Sequence, residues 1–388
     1  MNRRKLVITT QSILNVSIFL WSLTDIFAYA TFFGDFEITK IIAYAFGRIG
    51  LRVICILCML IKQKKASELF KSLVIIALAE ITNRNATTRI FIPIMYLLAV
   101  GKDVDDTKII KTLLTANILA FSIVFFSSLI GIVPKTIYYA STGADRYVLG
   151  FRTANTGPII LFQIASAVWL LYRNSKFSYI TAGFAFLISY FLCNSRTASI
   201  LSLSLFLLEI FWWITINQKS KLLKKMVWKV MYGIGILASL VSILSIAIAT
   251  KWIDASSLNE LFSGRIFLMQ KYFTYYGLTL WGQRVLTGAA AHQYGLSTLD
   301  NSYVYMLLSY GLVLFLLFIY YFIRVILTYR KEHKSQRLAV IIMYAIYGFS
   351  ETVTIRFVYN YSLIFLKDVI WKSKKIYTGD VVNENSPY

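Results

Sequence analysis

The chain is predicted to be an all-α, polytopic integral membrane protein, on three observations. Of its 388 residues 58% are hydrophobic and 15% charged, with a mean hydropathy of +0.65, which is more apolar than a soluble domain can hide around one core. Apolar runs close to the ~20 residues that cross a hydrocarbon slab of about 30 Å recur from end to end, with no polar domain between them. Lysine crowds into every second connection between those runs, which is the asymmetry of the positive-inside rule.

Taken in order, the apolar runs place helices at about 6 to 33, 39 to 61, 69 to 82, 86 to 101, 109 to 133, 158 to 172, 177 to 193, 198 to 216, 229 to 250, 302 to 328, 338 to 350 and 354 to 368. The first follows the basic segment Met1 to Lys5. Ala28-Tyr29-Ala30 mimics a cleavage site, but the run is too long for the core of a signal peptide, so an uncleaved anchor is expected. The second holds Cys55 and Cys58, a C-x-x-C that reads as packing in mid-span. With Cys193 also in an apolar run, neither a disulfide framework nor a zinc ribbon fits. The runs at 69 to 82, 338 to 350 and 354 to 368 are short, as tilted, broken or re-entrant spans are.

Threading these about twelve spans from a cytoplasmic N-terminus puts Lys62/Lys64/Lys65, Lys102/Lys108/Lys111, Arg173/Lys176, Lys219 to Lys229, Arg330 to Arg337 and Lys367 to Lys375 inside. About 26 Lys and Arg fall on that side and about 12 on the other. The outcome is one integral membrane domain over 1-375 and a cytoplasmic C-terminal tail over 376-388, with both termini in the cytoplasm. The net charge of +22 follows from topology. Basic residues interleaved with apolar spans form no domain for nucleic acid.

Only two outer connections are long, 134-157 and 251-301, and neither has the composition of a disordered segment. In the second, Ser263 is a candidate N-cap for a helix through Phe267 and Lys271 lying along the membrane surface. The outer cations are mostly arginines: Arg84, Arg89, Arg146, Arg152, Arg196, Arg265, Arg284 and Arg356. A guanidinium fork suits phosphate oxygens, so this set suggests a phosphorylated, lipid-anchored ligand. Snorkelling to headgroups is the plainer role for any one of them. Arg48 and Arg52 share one face of the second helix, about 13 and 20 Å below its outer end at roughly 1.5 Å per residue. At that depth they form an internal pair with Asp25 or Glu209, or extend the phosphate site inward.

Of the outer carboxylates Asp35, Glu37, Glu80, Asp145, Asp254, Glu260, Asp300 and Glu351, the choice for a general base is Asp300. It opens a helix in Leu299-Asp300-Asn301-Ser302-Tyr303, where N-cap is its alternative role. His292 is the rival base. Tyr138, Tyr139, Tyr272, Tyr275, Tyr276 and Trp281 offer faces for sugar stacking or form a membrane-surface aromatic belt. No H-x-x-E-H, P-loop, G-x-G-x-x-G after a strand or D-x-D pair faces a compartment that holds nucleotides, so no metal, nucleotide or other cofactor is expected.

Three patterns fall in order on the outer face: Arg146-x3-Gly150-Phe151-x3-Asn155-x-Gly157; Asn194-Ser195-Arg196-Thr197-Ala198; and Gly264-Arg265 followed by Trp281-Gly282, Asp300-Asn301-Ser302-Tyr303 and Tyr310-Gly311. A fourth is Gly348-Phe349-Ser350-Glu351 with Asn360 beyond it. In these patterns the chain resembles the Wzy-type polysaccharide repeat-unit polymerases of the O-antigen ligase/polymerase superfamily. The resemblance implies a GT-C-like architecture and a glycosyltransferase of the bacterial cytoplasmic membrane. Such an enzyme joins undecaprenyl-diphosphate-linked oligosaccharides on the outer face, among membrane lipids and beside flippase and chain-length regulator proteins.

On that resemblance, Arg265 with Asp300 or His292 would carry catalysis. Arg146, Arg152, Asn155, Arg196, Arg284, Lys271, Trp281 and Asn301, with Arg48 and Arg52, would hold diphosphate and sugar. Ligases of the superfamily usually carry a His-Asn pair where this chain has Asp300-Asn301, which favours polymerase over ligase. A lipid-linked sugar flippase or other transporter is the rival kept open by the buried charges. The long outer loop and the lack of a repeat stand against it, and a scaffold without chemistry leaves the outer arginines unexplained.

Overall fold

The computed structural model describes residues 9–63, 65–86, 90–139, 144–172, 175–217, 229, 233, 234, 237, 240–260, 262–332 and 334–371. The N-terminal basic segment, most of 218–239, Arg89 and the C-terminal tail lie outside them. The chain is mostly helical, 75% helix against 2% strand. Its helices are α1 (Thr10–Ala30), α2 (Glu37–Lys62), α3 (Ala66–Asn85), α4 (Ile92–Val100), α5 (Asp106–Leu129), α6 (Thr156–Leu171), α7 (Lys176–Leu192), α8 (Arg196–Asn217), α9 (Leu240–Ala249), α10 (Arg265–Tyr276), α11 (Ser302–Lys331), α12 (Ser335–Ser350) and α13 (Lys367–Ile370). One antiparallel hairpin, β1 (Thr136–Tyr139) with β2 (Ala144–Tyr147), sits in the connection after α5; the apolar pattern had given no sign of it.

Among the described residues, four helices, α1, α2, α5 and α11, are long and apolar enough to cross a membrane. Their surroundings are compatible with lipid, since α2 turns Ile41, Leu57, Leu60 and Ile61 outward and α7 does the same with Phe177, Ile180, Phe184 and Phe191. Apolar side chains on the outside of a bundle are what a hydrocarbon solvent permits. Cys55, Cys58 and Cys193 are buried and unpaired, as packing residues.

The helices run between two chemically different ends. At one, cations are fixed on carbonyls and carboxylates: Lys62 on the Asp103 carbonyl (3.0 Å), Lys102 on Glu68 (3.1 Å) and Arg337 on Asp106 (2.6 Å), with Trp371 donating to the Leu98 carbonyl (2.8 Å). At the other end lie the two long connections.

Two apolar runs are not the helices expected of them. The run at 86 to 101 is helical only over Ile92–Val100, buried at every residue but Pro93. The run at 354 to 368 is turns as far as Asn360, then a 3-10 helix over Tyr361–Leu366. Irregular backbone at membrane depth needs protein around it, and this segment has it. Asn117 Nδ2 donates to the Val358 carbonyl (3.1 Å), Asn360 Nδ2 to that of Thr354 (2.6 Å), and Asn360 Oδ1 accepts from Ser362 N (3.1 Å).

α11 is broken at Gly311, where φ is 86° and ψ 169°. The freed amides of Leu312 and Val313 donate to the carbonyls of Thr279 (2.9 Å) and Leu280 (3.2 Å). Gly282 lies so close that a Cβ on Gly311 would stand 2.3 Å from its nitrogen. The Trp281-Gly282 and Tyr310-Gly311 pairs thus mark one backbone crossing. At 1.5 Å per residue α12 covers about 24 Å and the part of α11 beyond Gly311 about 30 Å. Ser302 nevertheless reaches the Glu351 carbonyl (2.6 Å). The first half of α11 therefore does not extend the second but turns across the bundle.

Candidate functional site

Three side chains from distant parts of the chain meet at the loop end. α10 begins at Arg265 because Ser263 and Gly264 both hold positive φ, 54° and 80°, which turns the chain back on itself. The N-cap is Gly264 rather than Ser263, with no side-chain cap. From the first helical position, Arg265 Nε donates to Asp300 Oδ2 (3.2 Å) and Nη2 to Glu351 Oε1 (3.1 Å). Asp300 does not cap α11. Asn301 does, its Oδ1 accepting from Tyr303 N (3.0 Å) and Val304 N (2.9 Å), which leaves the Asp300 carboxylate for Arg265. Glu351 directly follows α12 and also accepts from Asn155 Nδ2 (2.7 Å). The long connections 134-157 and 251-301 are joined at this point.

Two carboxylates around one guanidinium leave a negative charge in excess, and both are shielded from water. Burial first, then the neighbouring charge of Asp300, pushes the Glu351 carboxyl up to about 8, against the pull of Arg265, Asn155 and Arg146. Burial also raises Asp300, opposed by Arg265. The side chain of Glu351 is 12% exposed and that of Asp300 26%, so Glu351 takes the shared proton first. Near neutrality Glu351 therefore keeps its proton, and Asp300, the more open of the two, is the carboxyl left facing Arg265. Such a split in proton affinity separates a base from its neighbour. Arg265 Nη1 has no protein partner among the described residues.

The other expected residues divide. Asn155 joins the cluster. Asn301 does not bind ligand: it is 1% exposed, and its amide is spent on the Ser245 hydroxyl (3.1 Å) and the Phe349 carbonyl (2.9 Å). Arg146 donates to the carbonyls of Cys193 (2.8 Å) and Asn194 (2.7 Å) where α7 ends, and lies close enough to Glu351 to act on its charge. Arg152 caps α1, with Nε on the Thr31 carbonyl (3.0 Å) and Nη2 on Asp35. A guanidinium at a helix C-terminus answers unpaired carbonyls and the dipole, so both arginines have a structural task. Arg196 at the start of α8 and Arg284 are exposed. Lys271 donates to the Gly295 carbonyl (2.8 Å), and the Trp281 carbonyl accepts from Asn85 (3.2 Å).

His292 is exposed in the 3-10 turn Gly288–Tyr294 and makes no hydrogen bond or ion pair with the cluster. Arg48 lies in the π turn Tyr44–Gly50 of α2, its side chain outside the described residues. Arg52 pairs with neither Asp25 nor Glu209. It meets Glu80 (3.1 Å), which also accepts from the Tyr96 hydroxyl (2.6 Å). Glu209 instead accepts from Ser178 (2.6 Å), and the charged neighbour of Asp25 is Arg356.

Glu351 is the residue that sequence reasoning undervalued; a carboxylate between two apolar runs in Gly348-Phe349-Ser350-Glu351 was the available signal. The chain matches no protein-family model, no curated protein and no solved structure.

Proposed function

We propose that the protein is a polytopic membrane glycosyltransferase, of about twelve passes, that polymerises diphosphate-linked oligosaccharide units at the end bearing Arg265, Asp300 and Glu351, on the outer face of the membrane. One observation carries the reading: a single arginine holds two carboxylates of unequal proton affinity where the two long connections meet. In the transfer, a hydroxyl of the incoming lipid-linked unit attacks the anomeric carbon of the growing chain. The bond from that carbon to the diphosphate oxygen breaks, and its electron pair leaves with the diphosphate. Asp300 takes the hydroxyl proton, while Arg265 Nη1 meets the charge growing on the leaving group. Protonated Glu351 positions Arg265 without adding a second anion to it.

Purified protein in lipid nanodiscs, given undecaprenyl-diphosphate-linked repeat units and no nucleotide, should build chains of increasing length. A need for ATP, or no product from the matched substrate, overturns the proposal. The cluster of Arg52, Glu80 and Tyr96 in α2, α3 and α4 favours a second reading, a transporter of lipid-linked sugar. In that case the same substrate changes leaflet without growing.

A further inference from the structure

The face of α10 that carries Phe267, Lys271 and Tyr275 opens into a cavity of about 490 Å³, within the size range of small-ligand pockets. Phe267, Tyr275 and Tyr294 line it with exposed rings, the last two with centroids 5.5 Å apart. Lys251, Lys271 and Gln270 add polar groups, and no carboxylate lines it. One of the two cations is held in place. Lys271 is fixed by the Gly295 carbonyl (2.8 Å) and lies 5.5 Å from the Phe267 ring centre. Gly295 has a φ of 64°, and a Cβ there would stand 3.4 Å from the Lys271 ammonium, in ordinary contact. Lys251 closes α9 in the left-handed conformation, φ 63°, its amide on the Ile248 carbonyl (3.1 Å) and that of Trp252 on the Ala247 carbonyl (2.9 Å), a helix cap that sets where its side chain leaves the backbone.

Flat aromatic faces stack on the apolar faces of sugar rings, an amide reads hydroxyls, and two ammonium groups with no opposing carboxylate select anions. The geometry points to a binding cleft for an acidic saccharide, such as a chain bearing uronate groups, separate from the Arg265 cluster. Acyl chains fit it poorly, because polar groups alternate with its rings and it carries two charges. The cleft stands or falls independently of the transfer reaction.

The test is titration of the purified protein by intrinsic fluorescence with two tetrasaccharides, β-1,4-linked hexuronate and neutral β-1,4-linked glucose. The acidic tetramer should bind at least about tenfold more tightly, and Lys251→Gln and Tyr294→Ala should each weaken it by about tenfold. Arg265→Ala should bind it as the wild type does while losing polymerisation, so loss of the transfer reaction and loss of the cleft are read separately. Equal binding of the two tetramers, or unchanged binding in both cleft variants, overturns the inference. So does a cleft-dependent fluorescence change that follows anionic phospholipid in nanodiscs and not the hexuronate, which would assign the cleft to headgroups.

Discussion

Asp300 and Glu351 contact the same guanidinium, yet their surroundings give them different tasks, and substitution should separate them. Asp300→Asn removes the proton acceptor and should lower the polymerisation rate by about 100-fold or more. Glu351→Gln replaces an already protonated carboxyl with a neutral amide of the same shape, so activity at pH 7 should stay within about tenfold of wild type. An inactive Glu351→Gln beside an active Asp300→Asn would exchange the two roles. The same proton has a thermodynamic signature. The Glu351 carboxyl is raised from its ordinary 4.5 to about 8 in the folded chain, so the folded state keeps a proton that the unfolded state releases. That contribution is complete below about 4.5 and is lost as pH rises through about 8, with a slope of at most about 1.4 kcal/mol per pH unit. Thermal melts in detergent should fall between pH 6 and 9 for the wild type and less steeply for Glu351→Gln; parallel curves would remove the proton from Glu351. Sequence alone brought Asp300 forward because it ends the long connection 251-301 and opens a helix beside that connection's arginines, Arg265 among them. It could not pair them with Glu351, which lies 51 positions beyond Asp300 and reaches them only through the fold of α11 against α12.

Among the elements, α11 positions the site, and its break is the part the apolar pattern concealed. A window of hydrophobic residues from 302 to 328 reads the same whether the helix is straight or turned at Gly311, because hydropathy registers composition and not φ. The two glycines that signal the crossing, Gly282 and Gly311, are 29 positions apart and carry meaning only once their backbones touch. Their roles predict a contrast. Gly311→Ala sets a methyl 2.3 Å from the Gly282 nitrogen and 2.4 Å from the Leu280 oxygen, both backbone atoms that cannot swing aside. It should abolish the monodisperse folded protein on size exclusion. Gly264→Ala, also at positive φ (80°), meets nothing within 4 Å, and should cost only the conformational preference, about 1 kcal/mol. Equal folding of the two variants would mean that the crossing does not hold the half-helix in place. The run at 354 to 368 was short enough to suggest a broken or re-entrant span, but not which bonds replace the helix: Asn117 and Asn360 donate to the carbonyls of Val358 and Thr354.

At the scale of the whole molecule, the helical build and the four helices long and apolar enough to cross a membrane were legible, because hydrocarbon imposes length and polarity on a segment that crosses it. Lateral neighbours were not. Depth matched Asp25 to Arg48 and set Glu209 between Arg48 and Arg52, but the carboxylate that Arg52 meets is Glu80, since depth constrains one coordinate and packing sets the other two. Orientation is a separate question, and lysine distribution makes a specific claim about it. The loop end should face outward and the connection around Lys219 to Lys229 inward. All three native cysteines are buried, so a membrane-impermeant maleimide should label the unaltered protein weakly in intact cells. Ser257→Cys, exposed in the connection between α9 and α10, should label without lysis, whereas Ser220→Cys should label only after the membrane is opened. The reverse pattern would turn the molecule over and put the Arg265 cluster in the cytoplasm. There, diphosphate-linked sugars awaiting export could still reach it, but finished polymer would have to cross the membrane afterwards. Labelling of both positions in intact cells would remove the single crossing expected between them over 229 to 250, and with it the orientation read from lysine.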